Sequence, residues 1–285
     1  MVRNGMILGI IACVISSLVV GGAFVFLLAE INEQNSTSDG QVIVSDKFLY
    51  YHGVNISWFG EAAFRIKSED LVVYIDPYLL SSDAETADII ICTHQHGEHL
   101  SWTNIFYAGD NNTTLYTPRP DPSIDGTGFT PESLLQLPLG NITFVRPGMV
   151  VNHSRIILEF VPAYNINKYS PYTGNLWHPP WANWTGVIVE IDGIRIYHGG
   201  DTEHIPEMEQ IDCDIFLAPI GGLAVMSPRE AAEAVESLQM TSDLKYAIPM
   251  HYGYSSEIAT EYLPAGIFAA HANCSVAILE PLGND

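Results

Sequence analysis

Residues 87–102 read "ADIIICTHQHGEHLSW", an apolar run from Ile89 to Cys92 followed by His94, His96, Glu98 and His99. Three isoleucines in a row read as a strand buried in a sheet. In extended chain His94 and His96 are two positions apart and point to one side. Gly97 permits a sharp turn, after which Glu98 and His99 can face the same pocket. The chain has only ten histidines in 285 residues, so three within six positions is far from chance placement. Imidazole and carboxylate together suit Zn, Mn or Fe better than Ca. The stretch therefore predicts a metal site at the end of a strand.

Working outward, strand-like runs dominate. "VNISWF", "AAFRIK" and "LVVYID" precede the histidines; "NITFVRPGMVVNHSRIILEFVPA" follows. "TGVIVEIDGIRIYHGG" predicts a hairpin, with Asp192-Gly193 as its tight turn. "CDIFLAPI" and "KYAIPMHYG" read as further strands. "SPREAAEAVESLQ" is the clearest helix, with Ser227 at the N-cap, Pro228 at the first position and Glu230 at the third. The stretch from 110, "DNNTTLYTPRPDPSIDGTGFTPESL", is rich in Pro, Gly and Asp and predicts a loop. The whole is a sheet-rich α/β domain over residues 42–285.

The pattern His94-x-His96-x-Glu98-His99 after a strand resembles the H-x-H-x-D-H signature of the metallo-β-lactamase superfamily. "VYIDPYL" (73–79), "RIYHGGDTEHIPEM" (195–208) and "AIPMHYG" (247–253) resemble that family's other elements, in the expected order. "VPAYNINK" and "WTGVIVEIDG" are similar to its lactonase-like branch. The resemblance spans nearly all of 54–282. It implies an αββα sandwich with one or two divalent transition metals at one edge, Zn first, with Mn or Fe as alternatives. It assigns His94 and His96 to a first metal, His99 and His251 to a second, and Asp201 to a bridging position. Glu98 stands where the family has an aspartate ligand.

Three departures surround this pocket. Glu98 is one methylene longer than aspartate. Asn165 stands where a third first-metal histidine is expected, and an amide is a poor zinc ligand beside imidazole. His178, in "LWHPPW", can substitute for it or merely cap a loop. Glu61, in "WFGEAAF", replaces a histidine of the family's Gly-His-Ala element. The second site thus keeps more of its ligands than the first. Trp177, Trp181 and Trp184 around His178 read as a packed aromatic loop rather than as the lining of a substrate entrance. His204 is expected to face the site, and His198 to be structural. His52, His153 and His271 have no local partner.

The formal charge is −22, from 33 acids against 11 bases. Such a surface repels polyphosphate and argues against nucleic acid as a partner. Residues 6–29, "MILGIIACVISSLVVGGAFVFLLA", carry no charge and are long enough for a helix across a bilayer core of about 30 Å. Arg3 lies before the run, and Glu30, Glu33 and Asp39 after it. This predicts a cytoplasmic tail over 1–5, an uncleaved single-pass anchor, a polar linker over 30–41, and the domain outside the cell membrane. Asn-x-Ser/Thr begins at Asn35, Asn55, Asn111, Asn112, Asn141, Asn152, Asn183 and Asn273. Random placement gives roughly two such glycosylation acceptors, so the excess supports the same location. Cys213 and Cys274 are available to pair.

Two functions compete on these grounds. One is a membrane-anchored extracytoplasmic metallohydrolase, directing water at an ester, lactone, amide or phosphodiester of a small-molecule substrate, with Glu98 and Asp201 as its catalytic carboxylates. The other is a catalytically degenerate relative, a surface binding or structural subunit with a protein partner. The altered positions favour the second, and the surviving ligand positions favour the first.

Overall fold

Alternation along the central strands already assigns two buried faces. In β5 (Leu71–Ile75) Leu71, Val73 and Ile75 enter one apolar cluster, while Val72 and Tyr74 enter another. In β6 (Ile89–Ile91) Ile89 and Ile91 go to the first cluster, and Ile90 with the following Cys92 to the second. A strand apolar on both faces needs a layer on each side. The computed structural model describes residues 42–45, 47–125, 129–252 and 263–284 and shows those layers. The expected anchor, linker and Asn35 lie outside the described residues. Among the described residues no helix is long and apolar enough to cross a membrane.

One sheet runs in the order β2 (Phe48–Tyr51), β3 (Val54–Gly60), β4 (Ala63–Ser68), β5, β6, β7 (Thr114–Pro118), β8 (Asn141–Val145). The other runs β1 (Val42–Ser45), β15 (Ser275–Leu279), β14 (Tyr246–Met250), β13 (Ile215–Pro219), β12 (Ile194–His198), β11 (Thr185–Ile191), β10 (Ile156–Pro162), β9 (Val150–His153). β5 to β8 are parallel neighbours, as are β12 to β15; the rest of each sheet is antiparallel, apart from β1 beside β15. Between the sheets lies the main core, including Phe64, Ile66, Phe160 and Val189. Outside the first sheet, α1 (Trp102–Ala108) supplies Ile105 and Ala108, and α3 (Pro131–Leu134) supplies Leu134. A single turn, α2 (Pro122–Asp125), lies between them in sequence. Over the second sheet, α4 (Pro228–Leu238) buries Ala231, Ala234, Val235 and Leu238, beside α5 (Leu263–Ala269). This is the expected αββα sandwich.

The helix start at Ser227 forms as its sequence predicts. Its hydroxyl accepts from Glu230 N–H at 3.3 Å, and the Glu230 carboxylate accepts from Ser227 N–H at 2.6 Å. The stretch from 110 is not wholly a loop, however, because it contains β7. That strand is buried at all five positions between parallel neighbours, so it shows no polar alternation, and its flanking prolines disguise it. α1, α5 and β15 are further elements that the sequence reading did not single out. Cys213 and Cys274 are not paired; with Cys92 they are free, buried thiols.

Phe64 is 0% exposed between the sheets, with its ring 5.8 Å from that of His198. Phe64→Ala is expected to lower unfolding free energy by about 3–5 kcal/mol, through lost apolar transfer and the cavity left behind. Urea denaturation reads this directly, as a lower midpoint with an unchanged slope.

Candidate metal centre

Strand ends from both sheets converge on one edge. Asp76 follows β5, residues 93–99 follow β6, Asp201 follows β12 and His251 follows β14. All four strands deliver their C-terminal ends, where parallel sheets place ligand-binding groups. Two of these residues take left-handed backbone, Asp76 (φ 47°) and His251 (φ 57°). Such strain at non-glycine positions persists where surrounding structure enforces it. Gly200 meets the same demand without strain: its φ is 62°, and a Cβ there would lie 2.8 Å from Thr185 O.

His94 and His96 do point to one side, with His94 Nε2 lying 2.8 Å from His96 Nδ1. Gln95, between them, instead brackets the backbone of Asp121, donating to its carbonyl at 2.9 Å and accepting from its N–H at 2.7 Å. His178 joins the pair. Ligand atoms of His94, His96 and His178 lie within 4.8 Å of one another, as do those of His94, His99 and Asp201. Asp201 stands between the groups: its carboxylate is 3.3 Å from His178 Nε2, 3.5 Å from His99 Nε2 and 3.1 Å from His251 Nε2. The indole of Trp184 backs the first group, with its ring 4.9 Å from His94, 5.0 Å from His96 and 5.6 Å from His178.

The residue at 165 explains how His178 is held. Asn165 Nδ2 donates to Ala224 O at 2.7 Å, which orients the amide. Its Oδ1 then accepts from His178 N–H at 2.8 Å and from His178 Nδ1 at 2.9 Å. An acceptor at Nδ1 places the imidazole proton there and leaves the Nε2 lone pair facing Asp201. Asn165 thus turns away from the cluster and acts through His178. On the other side His99 Nδ1 donates to Asp76 Oδ2 at 2.8 Å, and Asp76 also accepts from Thr93 N–H and Thr93 Oγ1, both at 2.7 Å. Asp76 and Thr93 were absent from the sequence-based site, although "VYIDPYL" held the signal.

The charges fit this arrangement. Burial, then His99 and His96, hold the His94 imidazole well below its usual value. Burial with His178 and His99 takes His96 down to about 4. Burial opposes protonation of His99 and His251 too, but the Asp201 carboxylate outweighs it and raises both. Burial likewise pushes Asp201 upward, yet His251 and His99 prevail and hold it well below the carboxylate range.

His99 Nε2, His178 Nε2, His251 Nε2 and Asp201 Oδ1 are buried without a hydrogen-bond partner. Buried polar atoms are otherwise almost always satisfied. Lone pairs from three imidazoles, each within 3.5 Å of one carboxylate, are the kind of donors that divalent transition metals take. The residues therefore fit such an ion.

Other expected residues lie elsewhere. Glu98 is half-buried on the wall of the adjoining cavity and belongs to neither donor group. Glu61 serves through its backbone, its carbonyl accepting from His251 N–H at 2.8 Å and from Trp58 Nε1 at 2.9 Å. His204 does not face the site; its Nε2 meets Ser237 Oγ at 2.8 Å on α4. His198 is structural, with Nε2 donating to Ala62 O at 2.9 Å. Glu203, which the sequence did not single out, anchors the loop to His178: its Oε2 accepts from the N–H groups of Ile166, Asn167 and Lys168 at 2.6, 2.7 and 3.1 Å. The aromatic residues divide. Trp184 packs at 3% exposure, whereas Trp177 and Trp181 line a cavity of about 760 Å³ opening onto His96, His178, Asp201 and His251.

Asn165→Ala removes the shorter of two acceptors on His178 Nδ1, leaving Ala224 O at 3.2 Å, and loosens the ring. Metal affinity is expected to fall by about 10–100-fold, as for other losses of a ligand's supporting hydrogen bond. Competition against a chromophoric chelator measures it.

Three comparisons bear on this geometry. A beta-lactamase superfamily domain matches residues 55–251. A metal-dependent hydrolase of Pyrococcus furiosus is 30% identical over 223 residues, covering 73% of this chain and 88% of that protein. One from Thermococcus onnurineus is 28% identical over 229 residues, with the same coverage. Among solved structures, a metallo hydrolase from the archaeon Ignicoccus hospitalis aligns with a TM-score of 0.56 at 20% identity, over 80% of this chain and 95% of that one. At that identity the likeness is one of fold.

Proposed function

The chain belongs to the metallo-β-lactamase superfamily, and on that premise we propose that it is a metal-dependent hydrolase acting on a small molecule at the Asp201 cluster. The observation that carries this is the set of partnerless, buried ligand atoms around one carboxylate. The names of the archaeal relatives support the same reading. A divalent metal bound there would activate water and polarise the scissile ester, lactone, amide or phosphodiester. His94, His96 and His178 would hold the ion on one side, and His99 and His251 on the other. Asp201 would serve both, and Asp76 and Asn165 would fix the imidazole tautomers. Trp184 keeps bulk water from behind the first group. Glu98, on the cavity wall, would exchange a proton with the attacking water or the leaving group. Zn is the first choice of metal, then Mn or Fe. The test is removal with a chelator and readdition: hydrolysis of an activated ester or phosphodiester should vanish and return. Unchanged turnover after complete removal would refute the proposal.

The finer proposal is that residues 6–29 anchor the enzyme and hold the domain outside the cell membrane. It is supported by the uncharged run, Arg3 before it and the eight acceptor sites. Asn111, Asn112, Asn141, Asn152 and Asn183 are exposed. Protease added to intact cells should remove the domain; full protection would overturn the placement. Mass spectrometry of native protein should find sugar on two or more of the sites.

A further inference from the structure

The walls of the catalytic cavity carry a statement about substrate class that the metal cluster alone does not. Much of its lining is apolar and aromatic, with Tyr172, Trp177, Trp181 and Leu223 beside the polar Ser170, Thr173 and Asn175. Three of these hold their side chains largely in solvent, Tyr172 at 88%, Leu223 at 70% and Trp181 at 66% exposure. Large apolar groups left exposed and contiguous around a cleft mark a binding surface. The charged groups are equally informative. Glu98 and Asp201 line the cavity, and among its described lining residues none is lysine or arginine. Phosphoryl recognition ordinarily uses arginine or lysine. The bases present nearby lie outside that lining. Lys168 binds Glu230 at 2.6 Å and Gly222 O at 3.2 Å. Arg119 and Arg146 line a separate groove, which shares only Ile124 and Trp181 with the cavity.

Resting on the hydrolase reading above, we infer that the substrate is an uncharged acyl compound, an ester, lactone or amide bearing an aliphatic or aromatic group, and not a phosphodiester or a phosphorylated molecule. The apolar group lies against Trp177, Trp181 and Leu223, and the scissile carbonyl lies at the Asp201 end. Water adds to the carbonyl carbon, the C–O or C–N bond breaks, and the leaving alcohol or amine takes up a proton. The products are a carboxylic acid and that alcohol or amine.

Binding and turnover are tested separately on the full-length chain. Calorimetric titration of the metal-stripped protein with alkyl phenyl ketones, from acetophenone to hexanophenone, is expected to show affinity rising up to about fourfold per methylene. Trp181→Ala should flatten that rise, and phenyl phosphate should bind at least about tenfold more weakly than acetophenone, for want of a lysine or arginine partner. In the metal-loaded protein, p-nitrophenyl hexanoate should be cleaved faster than the acetate, and bis(p-nitrophenyl) phosphate more slowly than either. Ketone affinity independent of chain length, or phenyl phosphate binding more tightly, overturns the inference. Cleavage of the phosphodiester in preference to the esters overturns it too, yet leaves the hydrolase reading standing. Chain-length-dependent ketone binding with no cleavage of any probe by the metal-loaded protein overturns the hydrolase reading, and the substrate inference with it.

Discussion

Asp201→Ala is expected to cripple hydrolysis and to strip the protein of metal. Among the described residues Asp201 is the one carboxylate within 3.5 Å of His99, His178 and His251 together; it belongs to one donor group and touches the other through His178. Removing it leaves His178 and His251 without that carboxylate and His99 with Asp76 alone. Loss of a Lewis acid that supplies several kcal/mol of charge stabilisation should reduce kcat/KM by on the order of 10³-fold, or about 4 kcal/mol. Asp201→Asn keeps the shape and loses the charge, so it should resemble the alanine variant. Metal content and kcat/KM, measured together, check this. A variant with full metal and near-normal turnover would mean that Asp201 is only a turn residue after β12.

His178→Ala is the second large effect. From the sequence alone, the His94–His96 pair lacked a third ligand, and the His99–His251 side was expected to outlast it. The structure removes the ground for that ranking, because His178 is 1% exposed and stands with its Nε2 beside His94, His96 and Asp201. Each side now has protein donors around the shared carboxylate. His178→Ala is therefore expected to weaken the first ion by about 100-fold or more, beyond the loss of a supporting hydrogen bond. His99→Ala with His251→Ala should empty the other side. Metal stoichiometry by elemental analysis distinguishes them. Full stoichiometry in His178→Ala would return His178 to the role of a loop cap.

What the sequence showed, and what it hid, follows from the range of the interactions involved. The run before His94 and the spacing of His94 and His96 are local, and strand geometry turns them directly into a shared face. The hairpin at Asp192-Gly193 and the helix start at Ser227 are local as well. His178 is different. It comes thirteen positions after Asn165 and meets it only because Glu203 gathers the intervening loop, a contact across the sheet edge that no spacing encodes. Asn165 looked like a damaged ligand for the same reason, since its work is done through His178. β7 was hidden by complete burial, which erases the alternation that marks a half-exposed strand. Glu98 carries the right charge in the right sequence position, yet the fold sets it on the cavity wall and not within a donor group.

Zinc K-edge X-ray absorption on the full-length protein, stripped and then reloaded with one equivalent of zinc, tests the central claim most directly. The account predicts a first shell of nitrogen and oxygen at about 2.0–2.1 Å, with the outer-shell scattering of several imidazoles. That signal should be lost in Asp201→Ala. A spectrum of hydrated zinc without imidazole scattering, or failure of the wild-type protein to retain zinc, would contradict it.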